Sequence, residues 1–433
     1  MRTVIWYPLL LSLFVLACSQ SNDPLQFDTS DSSQSRNQSC IDGEASGYPC
    51  LNVDLRARLS PGELFGERLN DIWGWTDPQT GREYALVGMT DGVSFVDISS
   101  PADPVVIGIL PESLQGGSGK WRPGSGVHLQ DDGEEKSTWR DLKVYNDHLF
   151  VVSDGQPHGL QIFDLTRLRT VTQVPATFSS DANYRDFESA HNIAINEETG
   201  FAYVVGSEVD GGGLYILDIS SPKQPEFVTT FADTLVGHQS TGYVHDTQCV
   251  VYRGPDSDYT GRELCFNASE THLAVVDVTE KQAIETISRN GYQGNRYAHQ
   301  GWLTEDHRYF LLDDELDENQ NGHNTRTYIW DMEDLDSPQM IGIYEAPYAS
   351  IDHNQYVLGN NLYQTNYTAG LRILNLDGIG SGTLEELAFF DTYAADDNPK
   401  FEGAWSSYPF FESGIVVVSD VTFGLFILQP AIQ

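Results

Sequence analysis

The sequence predicts an all-β fold, a seven-bladed β-propeller closed by a strand from the N-terminal side of the chain. Three observations carry this expectation. A phrase of alternating apolar residues, most often ending in Asp, recurs seven times. A second apolar run precedes every copy, and the seventh unit stops at Gln433, one strand short of a full unit. Repetition on this scale marks a chain built from one supersecondary unit used many times.

The copies are GVSFVDIS (92–99), GLQIFDLT (159–166), GLYILDIS (213–220), HLAVVDVT (272–279), TYIWDMED (327–334), GLRILNLD (370–377) and GLFILQP (424–430). Their β-branched and aromatic residues favour strands, and most run into a turn signal. The runs before them, such as YALVGM, LFVVSD and YFLLDD, have the same character. A further short segment opens each unit, which makes four strands per unit and matches propeller blades. The missing strand of the seventh unit is assigned to Leu51–Leu59 (LNVDLRARL), which alternates apolar and polar residues ahead of the first unit. Closing the ring this way removes a sheet edge that would otherwise template aggregation. A β-solenoid or a pair of sandwiches is the rival architecture; the irregular spacing of the copies and the lack of helical capping patterns favour the propeller.

Composition narrows function. The 433 residues include 63 Asp and Glu against 24 Lys and Arg, a net charge of −39. That field repels polyphosphate and anionic lipid, so no nucleic-acid partner is expected. At 40% apolar residues, with 8 Trp, 21 Tyr and 20 Phe, the chain has ample material for a large core.

The N-terminus reads as an export signal. Arg2 precedes an apolar run from Val4 to Ala17, too short to span a bilayer and suited to a signal-peptide core. The run ends Val15-Leu16-Ala17-Cys18, which resembles the lipobox of bacterial lipoproteins, with Cys18 as the lipidated residue; an ordinary secretory cleavage nearby is the alternative. The expected organisation is a lipoprotein signal peptide at 1–18, a disordered tether at 19–48, and the propeller at 49–433. A lipid anchor in the cell envelope, with the outer membrane favoured by Ser19, is the expected address. The remaining four Cys fall into two local pairs, Cys40 with Cys50 and Cys249 with Cys265, one of three pairings open to four Cys. Export permits disulfides.

The segments WRDLKVYNDHLFVVSD (139–154), AHNIAINEETGFAYVVG (190–206) and AHQGWLTEDHRYFLLDDELDE (298–318) resemble the choice-of-anchor B proteins. These are exported bacterial proteins built from repeats named after the sequence LVIVD. The resemblance spans residues 50–430 and implies a surface-anchored propeller; it supplies architecture and address, and leaves the chemistry to the residues.

The sharpest chemical signal is a histidine series. His191, His245, His299 and His353 recur at intervals of 54 residues and open the third to sixth units. Trp405 stands at the matching position of the seventh unit and Asp141 at that of the second. Equivalent positions in equivalent blades share one ring about the axis, so four imidazoles are expected on one arc. Imidazole nitrogens suit Fe, Cu or Zn. Glu188, Asp246, Asp352 and Glu402 lie beside the series and are candidates to orient the ring N–H groups. The competing expectation is structural: each His ties its blade to the repeated Asp97, Asp164, Asp218, Asp277 or Asp331. The other His, including His158 and His323, have no ring register and are expected in turns or at the surface.

An acidic loop offers a second candidate. Within it, Asp317-x-Asn319-x-Asn321-Gly322 fits the start of a calcium loop, with oxygens on alternate residues and Gly at the turn. The twelfth position is Tyr328 rather than Glu, so only an open calcium turn is expected, with a solvated hairpin as the alternative. The Gly-rich segment 113–138 is a lid or a mobile loop. Trp73, Trp75, Trp139, Trp302 and Trp405 either line a binding face or wedge between blades.

The chain has no GxSxG elbow, Walker loop or HExxH motif. The expected function is therefore a monomeric, non-enzymatic binding scaffold for a protein or glycan partner, with a His-ring ligand or metal site on the axis. A metal-dependent oxidase, oxygenase or hydrolase using that ring is the alternative.

Overall fold

The computed structural model describes residues 37–113, 138–155 and 157–432. The signal peptide with Cys18, the tether up to residue 36 and the 114–137 stretch of the insertion lie outside the described residues. Seven sheets follow one another along the chain, each with its first strand innermost, and all pairings are antiparallel except that of Ala176–Thr177 with Val105–Pro111 at the outer edge of blade one. The inner strands are Leu69–Thr76, Arg140–Tyr145, Asn192–Asn196, Asp246–Val251, Ala298–Leu303, Gln355–Leu358 and Ala404–Tyr408. The fold is the predicted seven-bladed β-propeller.

The recurring phrase is the third strand of every blade. It is buried on both faces because blades pack face to face, which is why apolar residues occupy both parities: Gly92–Asp97 and Leu160–Asp164 are buried up to their final Asp. Outer strands are half wet, as in Gln339–Glu345. The core is accordingly divided among the blade interfaces. Phe266 and Val275 of blade four pack with Phe310 and Tyr328 of blade five. Ile373 and Phe390 of blade six pack with Val418 and Phe426 of blade seven.

A register shift between the third and fourth strands recurs just before the Asp, at Phe95/Val96, Ile216/Leu217, Val275/Val276 and Ile329/Trp330. Such bulges add local twist. The repeated Asp then caps the following turn: Asp97, Asp218, Asp277 and Asp331 accept the backbone N–H of Ser99, Ser220, Thr279 and Glu333. Its role is local, since no hydrogen bond joins these Asp residues to an axial His among the described residues.

Closure follows the sequence expectation. Val53–Leu59 pairs antiparallel with Gly424–Pro430 and completes blade seven, whereas Leu51, expected in the same strand, pairs with Phe389 of blade six. The boundary at 48 needs correction. Residues 37–48, assigned to the tether, belong to the fold: Glu44–Ala45 and Tyr48–Leu51 form a hairpin on the outer edge of blade six. Ala45 is buried, and the Cys40–Cys50 disulfide cross-links this segment. The second disulfide joins Cys249 and Cys265, directly opposite one another in blade four.

Asp77 shows how blades are tied at their rims. It is fully buried and receives a two-pronged contact from Arg169, at 2.9 Å from Nε and 2.5 Å from Nη2. Burial alone would raise its carboxyl, but Arg169, the Thr80 hydroxyl and the Gln79 N–H hold it at about 2. A carboxyl lowered on folding stabilises above its unfolded value, about 3.9, and loses that contribution as pH falls toward 2. Wild type is therefore expected to lose more stability than Asp77→Asn between those pH values, read as the urea midpoint. Parallel curves would refute the role.

Candidate functional site

Each axial His sits at or just before the start of an inner strand. In blade five the register shifts between Ala298 and Gly301, and in blade seven between Ala404 and Ser406. Such a bulge re-aims side chains at a strand end. The outcome is a continuous arc of rings. Centroids of His191 and His245 are 4.4 Å apart, His245 and His299 4.2 Å, His299 and His353 4.4 Å, and His353 and Trp405 4.5 Å. Trp139 extends the arc, stacked on Trp405 at 5.0 Å.

Every Nδ1 in the arc has an acceptor. His245 donates to the His299 carbonyl at 2.8 Å and His353 to the Trp405 carbonyl at 2.6 Å. His191 meets Asp154 at 3.0 Å and His299 meets Asp313 at 3.1 Å. A carbonyl only accepts, so Nδ1 of His245 and His353 carries the proton and Nε2 keeps a lone pair. This is the tautomer that binds metal, with an oxygen acceptor orienting the ring.

Glu315 completes the arrangement. It follows the second strand of blade five, and its Oε1 lies 3.5 Å from His353 Nε2 and its Oε2 4.0 Å from His299 Nε2. One ligand atom from each of His299, Glu315 and His353 falls within 4.8 Å of the others. The Tyr367 hydroxyl donates to Glu315 at 3.0 Å. Burial raises the Glu315 carboxyl to about 7, against the lowering effect of Tyr367 and His191. Burial and the neighbouring imidazoles hold His245 and His299 well below the usual histidine value, and burial lowers His353 to about 3. His191 differs: burial lowers it, but Asp154, together with the charges of Glu315 and Asp246, outweighs burial and leaves it raised.

The ring-orienting partners are thus Asp154, Asp313 and two carbonyls, not the four acids expected from sequence. Glu188 is exposed, and Glu402, also exposed, accepts the Tyr393 hydroxyl. Asp246 is half-buried near Asp141 and Lys143, and desolvation raises it to about 7. Asp352 lies among other acids. Asp141 also departs from its expected place, being level with the residue that follows each His. Its Oδ2 accepts the Ile193 N–H at 2.7 Å, and its Oδ1 holds Lys143 at 2.5 Å, with Asp71 3.7 Å from the same ammonium.

Next to the His level, beginning at Asp246 and Gln300, a cavity of about 460 Å³ opens, lined by Trp73, Lys143, Trp302, Tyr356, Tyr408 and Phe410 among others, and by none of the four axial His. Trp75 instead wedges between blades, stacked on Tyr84 and donating its N–H to Asp147.

The calcium expectation fails on local geometry. Asp317–Asn321 is a helical turn ended by Gly322 in the left-handed conformation. Asp317 turns inward to accept the Tyr328 hydroxyl at 2.6 Å, whereas Asn319 and Asn321 are exposed, and Asn321 bonds Arg296 and the Gly294 carbonyl. Alternate residues converge on an ion in a loop but diverge on a helix. His158 is a further correction: it is fully buried, accepts from Arg140 at 3.0 Å, and burial with that charge lowers it to about 3.

Comparison with known proteins supports the architecture. The LVIVD repeat model matches residues 82–110 and 189–233, which cover the later strands of blade one and all of blade three. No curated protein matches the chain. A protein from Lactobacillus plantarum is similar at a TM-score of 0.51 and 13% identity, over 81% of this chain and 89% of that one. Hydrazine synthase from Kuenenia stuttgartiensis is similar at a TM-score of 0.50 and 11% identity, over 81% of this chain and 93% of that one. At such identities the likeness is one of fold alone. The chain carries LVIVD repeats folded as a seven-bladed β-propeller.

Proposed function

We propose that the protein is an exported, lipid-anchored binding propeller that holds a transition metal at the His-lined level of its axis. His299, His353 and Glu315 are the ligands, and His245 and His191 extend the imidazole surface beside them. The observation that carries this reading is the pairing of free Nε2 atoms on one carboxylate while each Nδ1 is anchored by an oxygen. Two imidazoles and a carboxylate form a donor set that zinc takes, leaving a further position for a ligand. The aromatic cavity further along the axis is large enough for a small ligand, and we assign it to a glycan partner.

Three measurements test the reading. The purified protein should retain about one equivalent of Zn²⁺ after dialysis, by elemental analysis. Asp313→Asn, which loosens the His299 ring, should lower Zn²⁺ affinity by about 10–100-fold. Wild type that retains none, or an Asp313→Asn affinity equal to wild type, would remove the metal reading. For the anchor, Cys18→Ala should release the protein from membranes, and retention there would reject lipidation.

A further inference from the structure

Outside the axial arc lies a buried group of acids that the reading above does not use. Asp317 is 0% exposed, Glu318 2% and Asp352 0%. Neither oxygen of Glu318, neither oxygen of Asp352, and not Asp317 Oδ1, is met by a protein hydrogen-bond donor. Among the described residues, no Lys or Arg forms an ion pair with any of the three. Glu318, Asp313, Asp317 and Asp314 all bear electrostatically on Asp352, which lies in the loop entering blade six.

A fourth group meets them. His323 donates from Nδ1 to the Asn324 carbonyl at 2.7 Å, and its Nε2, which has no hydrogen-bond partner, lies 3.4 Å from Asp317 Oδ2. One ligand atom from each of Asp317, Glu318 and His323 falls within 4.8 Å of the others. The Tyr328 hydroxyl satisfies one oxygen of Asp317 and fixes that side chain. Buried charges persist when they are paired or coordinate a cation, and among the described residues no Lys or Arg pairs these carboxyls.

We propose that Asp317, Glu318 and His323 form a second, structural site for a divalent cation, with the Asp352 carboxyl nearby. Two carboxylates with one imidazole favour Mn²⁺: the oxygens suit hard cations, and the nitrogen disfavours Ca²⁺ and Mg²⁺. The site uses none of the axial donors. Its ligands come from the turn between the second and third strands of blade five, so the ion fixes that turn.

The test uses the full chain stripped by chelator and titrated with Mn²⁺ alone, followed by thermal unfolding. Mn²⁺ should raise Tm by several degrees, because an ion that binds only the folded state stabilises it by mass action. Glu318→Gln should abolish the rise while leaving Zn²⁺ retention unchanged, which separates this site from the axial one. Should Glu318→Gln fail to fold, Mn²⁺ binding to His299→Ala, followed by its electron paramagnetic resonance signal, reports the same site. No Mn²⁺ effect, together with an Asp352→Asn chain more stable than wild type in chelator, would overturn the proposal in favour of protonated acids. Stabilisation by Ca²⁺ and not Mn²⁺ would overturn the assignment of His323 as a ligand.

Discussion

Removing the chain through Leu59 should leave a protein without a cooperative unfolding transition. The lost segment supplies the fourth strand of blade seven, with Val53, Leu55 and Ala57 fully buried. Without it the backbone of Gly424–Pro430 becomes an open edge, and the interface of blades six and seven loses Val53 and Leu55. An open, apolar edge invites pairing with other chains, so aggregation is the expected outcome. Leu55→Ala is the milder version and should cost about 2–5 kcal/mol by urea denaturation. A truncated chain that melts cooperatively near the wild-type temperature would show that the ring does not need its closing strand.

Lys143→Met should be nearly as damaging, through charge rather than volume. The ammonium is held between Asp141 at 2.5 Å and Asp71 at 3.7 Å, and lies 4.5 Å from the centre of the Trp73 ring. Burial pushes Asp71 well up, and contact with Asp141 adds to this; Lys143 opposes both effects. Methionine fills similar volume but leaves two carboxylates facing each other in a buried layer. Breaking a buried pair by removing one partner costs about 3–5 kcal/mol. Adding Asp71→Asn should recover part of the loss, because one uncompensated charge disappears with it. A double variant no more stable than Lys143→Met would mean that the cost lies in lost packing against Trp73.

Much of this was legible from residues alone. The third strands announce themselves because burial on both faces demands apolar residues at both parities, which few other elements show. Leu51–Leu59 was recognisable as the closing strand because its alternation had no partner within its own unit. The 54-residue interval placed four His on one arc because blades of equal construction repeat their geometry. The boundary at 48 was misjudged because Asn37–Tyr48 is polar and turn-rich; its order comes from a disulfide and from pairing to a strand more than 330 residues away, as the Asn52 amide bonded to the Leu387 carbonyl illustrates.

Composition and repetition by themselves determined the blade number, the closure and the arc of imidazoles, since these follow from which residues must be buried and how often. The direction of each side chain was decided only by the tertiary structure. Bulges at Ala298–Gly301 and Ala404–Ser406 interrupt the two-residue period, so strand parity could not tell which residue meets the axis. Asp313 and Glu315 stood in view within DDELDE, yet their roles arise because blade five brings the end of its second strand against His299 and His353. Likewise Asp317-x-Asn319-x-Asn321 reads as a loop of oxygens until the chain winds it into a helical turn and sends Asp317 inward toward Glu318 and His323. Patterns along a chain fix which side chains a fold will bury; contacts between strands far apart in sequence fix which atoms of those side chains face each other.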